Sequence, residues 1–154
     1  MGKVPADWIG PRGVSWYNYR VAIAEKETHR GGRCVIIRRL PDERYGETYG
    51  SLHQRIDASS YRSLRIRLSA AVRAEVKHPG DGAHLWLRVT KQGWGPAALT
   101  FYDNLAERPI TDSDWREYQI IGDVASDAET IEYGLALVGE GQAEFAAVSI
   151  EIVH

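Results

Sequence analysis

Three residues able to do chemistry stand two apart in the run Ala83–Thr90, AHLWLRVT: His84, Trp86 and Arg88. An extended chain sends alternate side chains to opposite faces, so these three share one face and Leu85, Leu87 and Val89 share the other. A tryptophan carries roughly 200 Å² of surface, and leaving it wet forfeits a few kcal/mol of burial. Its neighbour Arg88 can hold a carboxylate or phosphate bidentately, or stand in a surface ion pair. His84 is an acid–base candidate or a plain edge residue. The run Ala97–Asn104, AALTFYDN, adds Tyr102 and Asn104 opposite Leu99, Phe101 and Asp103. In Thr130–Val138, TIEYGLALV, the outward set Glu132, Gly134, Ala136 and Val138 contains small residues that leave room above the sheet.

Trp86, Arg88, His84, Tyr102 and Asn104 are therefore the candidate lining of a ligand groove. An aromatic platform with polar neighbours suits a carbohydrate, or a glycosylated or polyketide-like molecule. Gln54 joins the candidates because it shares a face with Leu52 and Ile56. An amide on an apolar stripe needs partners, in a structural network or in a ligand. Two other readings compete for the same face. A cofactor-independent cyclase, isomerase or epimerase would enclose a pocket there, with His84, Asp103 or Glu132 as its acid–base group. A structural or interaction domain would close the face with the N-terminal arm, a loop or a second subunit.

No H-E-x-x-H, G-x-S-x-G, phosphate-binding loop, Rossmann or EF-hand pattern occurs. The histidines His29, His53, His78, His84 and His154 are scattered; His53 and His84 could meet across strands, but no H-x-H spacing supports a metal. Asp103, Asn104, Asp112 and Asp114 match calcium by ligand type, and turn chemistry accounts for them as well. Cys34, the single cysteine, lies in an apolar run and is expected to be buried and inert. It cannot form an internal disulfide.

The elements that must place these residues follow from the whole chain. Its 154 residues suit one domain with a real core. Hydrophobic residues at 44%, charged residues at 26% and a mean hydropathy of −0.37 exclude a disordered or fibrous chain. No apolar run is long enough to cross a membrane as a helix, and MGKVPADWIGPRG has no apolar core of a secretory signal. A cytoplasmic setting is expected, with no membrane partner. Residues 1–77 carry 15 Lys and Arg against 8 Asp and Glu, a balance of +7; residues 78–154 carry 4 against 13, a balance of −9. Strands from the two halves interleave in a sandwich, so much of this cancels, and no nucleic-acid partner is expected.

Helical periodicity is nearly absent, and alternation recurs between turns such as HPGDG, KQGWGP, ERPITDSD and GEGQ. It predicts strands at Trp16–Ala24, Arg33–Arg39, Thr48–Ile56, Ser63–Glu75, Ala83–Thr90, Ala97–Asn104, Trp115–Gly122, Thr130–Val138 and Ala143–Val153. Single helical turns are expected at Asp57–Tyr61 and Ser126–Glu129. The expected fold is all-β, an antiparallel jelly-roll sandwich over residues 15–154. Residues 1–14 form an irregular arm, with Trp8 pinned onto the body. Edge strands and an aromatic outer face predict a homodimer, whose opposed charge halves favour antiparallel pairing.

The runs YGSLHQRIDASSYRSLRIRLSAAVRAE, AHLWLRV, LTFYDNLAERPI, SDWREYQI and IEYGLALVGEGQAEFAAVSIE follow one another in a familiar order. Over residues 16–153 the chain resembles bacterial β-sandwich domains of the galactose-binding-like, jelly-roll type shared by many carbohydrate-binding modules. Its most specific parts are Leu85–Arg88, Asp103–Ile110 and Asp114–Trp115. Such domains stand alone or are appended to transcription regulators and hydrolases. The resemblance implies the sandwich and a carbohydrate-like ligand, and jelly-roll cyclases of natural-product pathways share the architecture. Related domains often close on an aromatic followed by aspartates; this chain reads Glu144-Phe145-Ala146-Ala147. That departure removes acids which can serve a structural calcium, so neither metal nor other cofactor is expected.

Overall fold

Alternation along the chain becomes nine strands in the computed structural model, which describes residues 8–10, 19–24, 34–39 and 49–154. In chain order they are β1 (Tyr19–Ile23), β2 (Val35–Arg39), β3 (Tyr49–Asp57), β4 (Arg65–Val76), β5 (Gly82–Lys91), β6 (Leu99–Asp103), β7 (Arg116–Asp123), β8 (Ala128–Val138) and β9 (Gly141–Ile152). They form two antiparallel sheets, ordered β1-β2-β9-β4-β7 and β3-β8-β5-β6. The all-β jelly-roll sandwich is therefore present, and its only helical pieces among the described residues are single 3₁₀ turns. Predicted strand starts at Trp16, Arg33 and Thr48, and His29, lie outside the described residues.

The core is the sum of the inward faces. Ile66, Leu68, Ala70, Val72 and Ala74 of β4 meet Leu85, Leu87 and Val89 of β5 and Ile131, Leu135 and Leu137 of β8, all buried. Phe145 of β9 and Ile120 of β7 complete this layer. Tyr133 is only half-buried, and Trp8 meets it edge-on at 5.6 Å between ring centres. Ile9 binds β3 by two backbone hydrogen bonds to His53, of 2.7 and 2.9 Å.

Local departures have local causes. Gly95–Ala98 forms a 3₁₀ turn where strand six was expected to begin; Pro96 sits near its start, where a missing N–H costs nothing. The β5–β6 register then slips between Val89↔Phe101 and Thr90↔Leu99, which turns Leu99 out to solvent instead of into the core. The helical turn expected at Ser126–Glu129 is absent, because Ala128 already pairs with Lys91 in the sheet. The turn near Asp57 is present at Ser59–Tyr61. Leu64, inside the predicted strand Ser63–Glu75, lies just before β4 and is exposed. On β9 one extra residue opposes β4 between Ser149↔Ser69 and Ala146↔Ala71, and Ala147 takes φ +52° there. Buried Cys34 packs with Ala71 and Ala146 in a separate small cluster, its thiol 3.7 Å from Glu144 Oε2.

The acidic turn residues cap their own loops. Asp103 Oδ1 accepts from the Leu105 N–H at 2.9 Å, Asn104 Oδ1 from Ala106 at 3.0 Å, and Asp112 Oδ1 from Asp114 at 2.8 Å. Among the described residues, no three His, Cys, Asp or Glu side chains gather as a metal-ligating cluster. The Asp114 N–H and then Arg116 hold the Asp112 carboxyl below its usual range. Ser59 does the same for Asp57, and Arg65 for Asp123. A carboxyl depressed on folding stabilises the protein fully above its unfolded pKa, and that stabilisation is lost as pH falls through the folded value. The thermal midpoint should therefore drop on acidification below about pH 4, and Asp112→Asn should show a smaller drop. An equal drop in differential scanning calorimetry would remove Asp112 from the cause.

Candidate ligand-binding groove

The outer face of the four-stranded sheet is built in cross-strand rows. Strand pairing sets Ser51 of β3, Ala136 of β8 and His84 of β5 side by side. The next row is His53, Gly134 and Trp86, and the next is Arg55, Glu132, Arg88 and Tyr102. Trp86 starts on β5, yet its Nε1–H donates to Ser51 Oγ on β3 at 3.1 Å. Two strand spacings separate β5 from β3, roughly 9.5 Å, so only an indole laid along the sheet reaches. It does so by crossing Gly134, where an added Cβ would stand 2.3 Å from indole Cε2 and Nε1. His53 flanks the indole at 5.4 Å between ring centres, tilted by 48°.

Above this floor lies a groove of about 490 Å³, whose lining includes Trp86, His84, Arg88, Tyr102, Asn104 and Glu132. Tyr49 and Tyr102 form exposed walls, at 58% and 49% of their surface. His84 Nδ1 stands 2.9 Å from the Asn104 carbonyl oxygen. A carbonyl only accepts, so Nδ1 carries a proton and Nε2 is the ring nitrogen turned away from that bond. Glu132 Oε2 is taken from the β3 side, by Arg55 Nη2 at 3.5 Å and His53 Nε2 at 3.8 Å. Arg88, directly across from Glu132 on β5, has no hydrogen-bond or ion-pair partner among the described residues and is exposed to the groove.

Five of the six ligand-binding candidates thus meet in one place. The sixth, Gln54, is turned away from it: its Oε1 accepts from the Tyr133 hydroxyl, which places the amide oxygen in a structural contact. Burial and, secondarily, Tyr61 push the Tyr133 phenol up, which keeps it a donor. Among the acid–base candidates, His84 and Glu132 line the groove. Asp103 does not: it caps the β6 turn and lies 3.5 Å from Arg108.

The sequence reading missed Tyr49, Ser51 and His53 as part of this wall. The signal was present, since alternation in TYGSLHQRI sets them on one face with Arg55, opposite Leu52. What it lacked was the neighbour, because β3 reaches β5 only through β8.

No family model matches the chain. It is similar to an uncharacterised HTH-type transcriptional regulator, YbfP, of Bacillus subtilis, with 28% identity over 144 residues. That match covers 92% of this chain and 46% of the regulator, so the chain spans about half the relative's length. Among solved structures, the sandwich superposes on the CBM22-1–GH10 modules of Clostridium thermocellum xylanase 10B complexed with xylohexaose (TM-score 0.64, 12% identity, 96% of this chain and 26% of that one). A family 16 carbohydrate-binding module matches with a TM-score of 0.62 and 13% identity over 86% of each chain. The bacteriophage CBA120 tailspike protein 4 matches with a TM-score of 0.66 and 11% identity, over 96% of this chain and 20% of that one. At these identities the likeness establishes the shared fold.

Proposed function

We propose that this domain binds saccharides in the groove on the outer face of β3-β8-β5-β6, with Trp86 as the platform for a sugar ring. The carrying observation is the placement of that indole. Gly134 makes space for it and Ser51 holds its N–H, so one ring face is presented to the groove without being ordered on binding. Preorganisation of this kind removes an entropic cost of association. Tyr49 and Tyr102 supply further apolar wall, and His84 Nε2 and Ser51 stand at hydroxyl-binding positions. The modules of like fold whose structures hold xylohexaose or β-1,4-galactotriose support the ligand class.

The test is calorimetric titration with a panel of neutral oligosaccharides, xylohexaose and β-1,4-galactotriose included. Trp86→Ala should weaken the best ligand at least about tenfold, equivalent to 1.4 kcal/mol. Trp94→Ala should not, because Trp94 stands 95% exposed in the β5–β6 loop beyond the groove lining. Undiminished binding by Trp86→Ala would exclude the groove.

The likeness to an HTH-type regulator supports a second reading, in which this domain is the ligand-sensing part of a longer DNA-binding protein and the saccharide is its effector. If so, the best ligand from the panel shifts the operator affinity of the Bacillus relative; an unchanged affinity with the ligand bound would reject it.

A further inference from the structure

We infer that the saccharide is anionic, a uronic acid whose carboxylate is clamped by Arg88. The inference rests on the groove reading above and adds the ligand's charge to it. It comes from a charge count along one row. Arg55, Glu132 and Arg88 lie side by side on β3, β8 and β5. The single carboxylate of that row is engaged from β3 by Arg55 and by His53. Arg88 sits directly opposite the same carboxylate, yet no ion pair joins them. Three arginines elsewhere on the two sheets are paired with acids. Arg65 pairs with Asp123, Arg73 with Glu144 while stacking on Trp115, and Arg116 with Asp112. The row therefore carries one guanidinium in excess, and it faces the groove.

Its position fits a specific ligand geometry. Arg88 stands two residues from Trp86 on the same face of β5, about 6.5 Å along the strand. A pyranose ring resting on the indole projects the group at its C5 position outward in its own plane. A carboxylate there meets a planar donor fork, which binds carboxylates bidentately and is more weakly hydrated than an ammonium. A neutral hydroxymethyl group would use one of the fork's donors and leave the charge uncompensated. Glu132 is engaged on the β3 side by Arg55 and His53, so it does not occupy the place the sugar acid would take.

The experiment compares trigalacturonic acid with neutral β-1,4-galactotriose by calorimetry at low and at physiological salt. The acidic trimer should bind about tenfold more tightly, the lower end of what a hydrogen-bonded charge contributes. That advantage should shrink as salt rises. Arg88→Gln should remove the advantage, bringing the two trimers to within about twofold of each other; Arg88→Lys should restore only part of it. Arg65→Gln removes a charge from the other sheet and should change nothing. Equal affinity for both trimers, a preference surviving in Arg88→Gln, or an equal loss in Arg65→Gln would overturn the anionic ligand while leaving the groove reading intact. Failure of both trimers and of the whole neutral panel would overturn both. Arg88 is exposed, so the variants should fold, and matched thermal midpoints will verify it.

Discussion

Gly134→Ala is expected to weaken saccharide binding as much as loss of Trp86 does, while leaving the sandwich folded. The added methyl would stand 2.3 Å from two atoms of the Trp86 indole and 2.6 Å from a third. Real Cβ contacts are never that short, so something must move. Everything it strikes is the far end of one side chain, and that side chain is half-buried with open groove beside it. The indole will yield and the strand will stay. In yielding it gives up the Ser51 hydrogen bond and its contact with His53. A lost neutral hydrogen bond and a strained neighbour together cost about 1–3 kcal/mol of stability. The ligand loses its platform as it does when the indole is removed: affinity should fall at least about tenfold, or 1.4 kcal/mol. Titration calorimetry reads the affinity, and a red-shifted tryptophan emission reads the exposed indole. A variant that binds normally would mean the ring face over Gly134 is not the platform.

This one residue also marks the boundary between what is legible in the chain and what is not. The outward set His84, Trp86, Arg88 is legible because alternation is a property of a single strand. Small residues at Gly134 and Ala136 can be read as space above the sheet, and the space is there. Trp86 fills it over Gly134. The destination of the indole, Ser51, is not legible, because 35 positions and an intervening strand separate donor from acceptor. Cross-strand neighbours depend on strand order, and neither composition nor spacing encodes the order β3-β8-β5-β6. Gln54 shows the reverse case. Its strand face is read correctly, but both of its readings need partners, and only the register that brings Tyr133 opposite it decides between them. Asp103 pairs with inward-facing Leu87, and its chemistry is ordinary turn capping. Leu99 escaped because a one-residue register slip reverses every face beyond it, and nothing in LTFYD signals the slip.

Gly141→Ala will fail in the opposite way, through the fold rather than the groove. Gly141 opens β9 opposite Val76 at the end of β4, with φ +132°. A side chain there is strained whatever the space, at about 1–3 kcal/mol. Space is also missing. A Cβ would meet the Glu75 carbonyl oxygen at 2.0 Å and its carbonyl carbon at 3.0 Å. These are backbone atoms of β4, paired at this point with β9. No rotamer change relieves the contact, so the end of the β4–β9 ladder must open, with loss of at least one net hydrogen bond of about 1 kcal/mol. The sum, about 2–4 kcal/mol, is a large part of the stability of a domain this size. The thermal midpoint should fall by about 10 °C. Below that midpoint the variant should still bind saccharide as tightly as the parent, because Gly141 is not among the residues lining the groove. A midpoint within about 2 °C of the parent, well under the calculated cost, would show that the β8–β9 turn accepts a side chain and that the close approach to Glu75 is not fixed. Taken with Gly134→Ala, the pair separates two uses of glycine on one scaffold. One admits a side chain that forms the ligand platform; the other admits a neighbouring backbone that holds the five-stranded sheet in register.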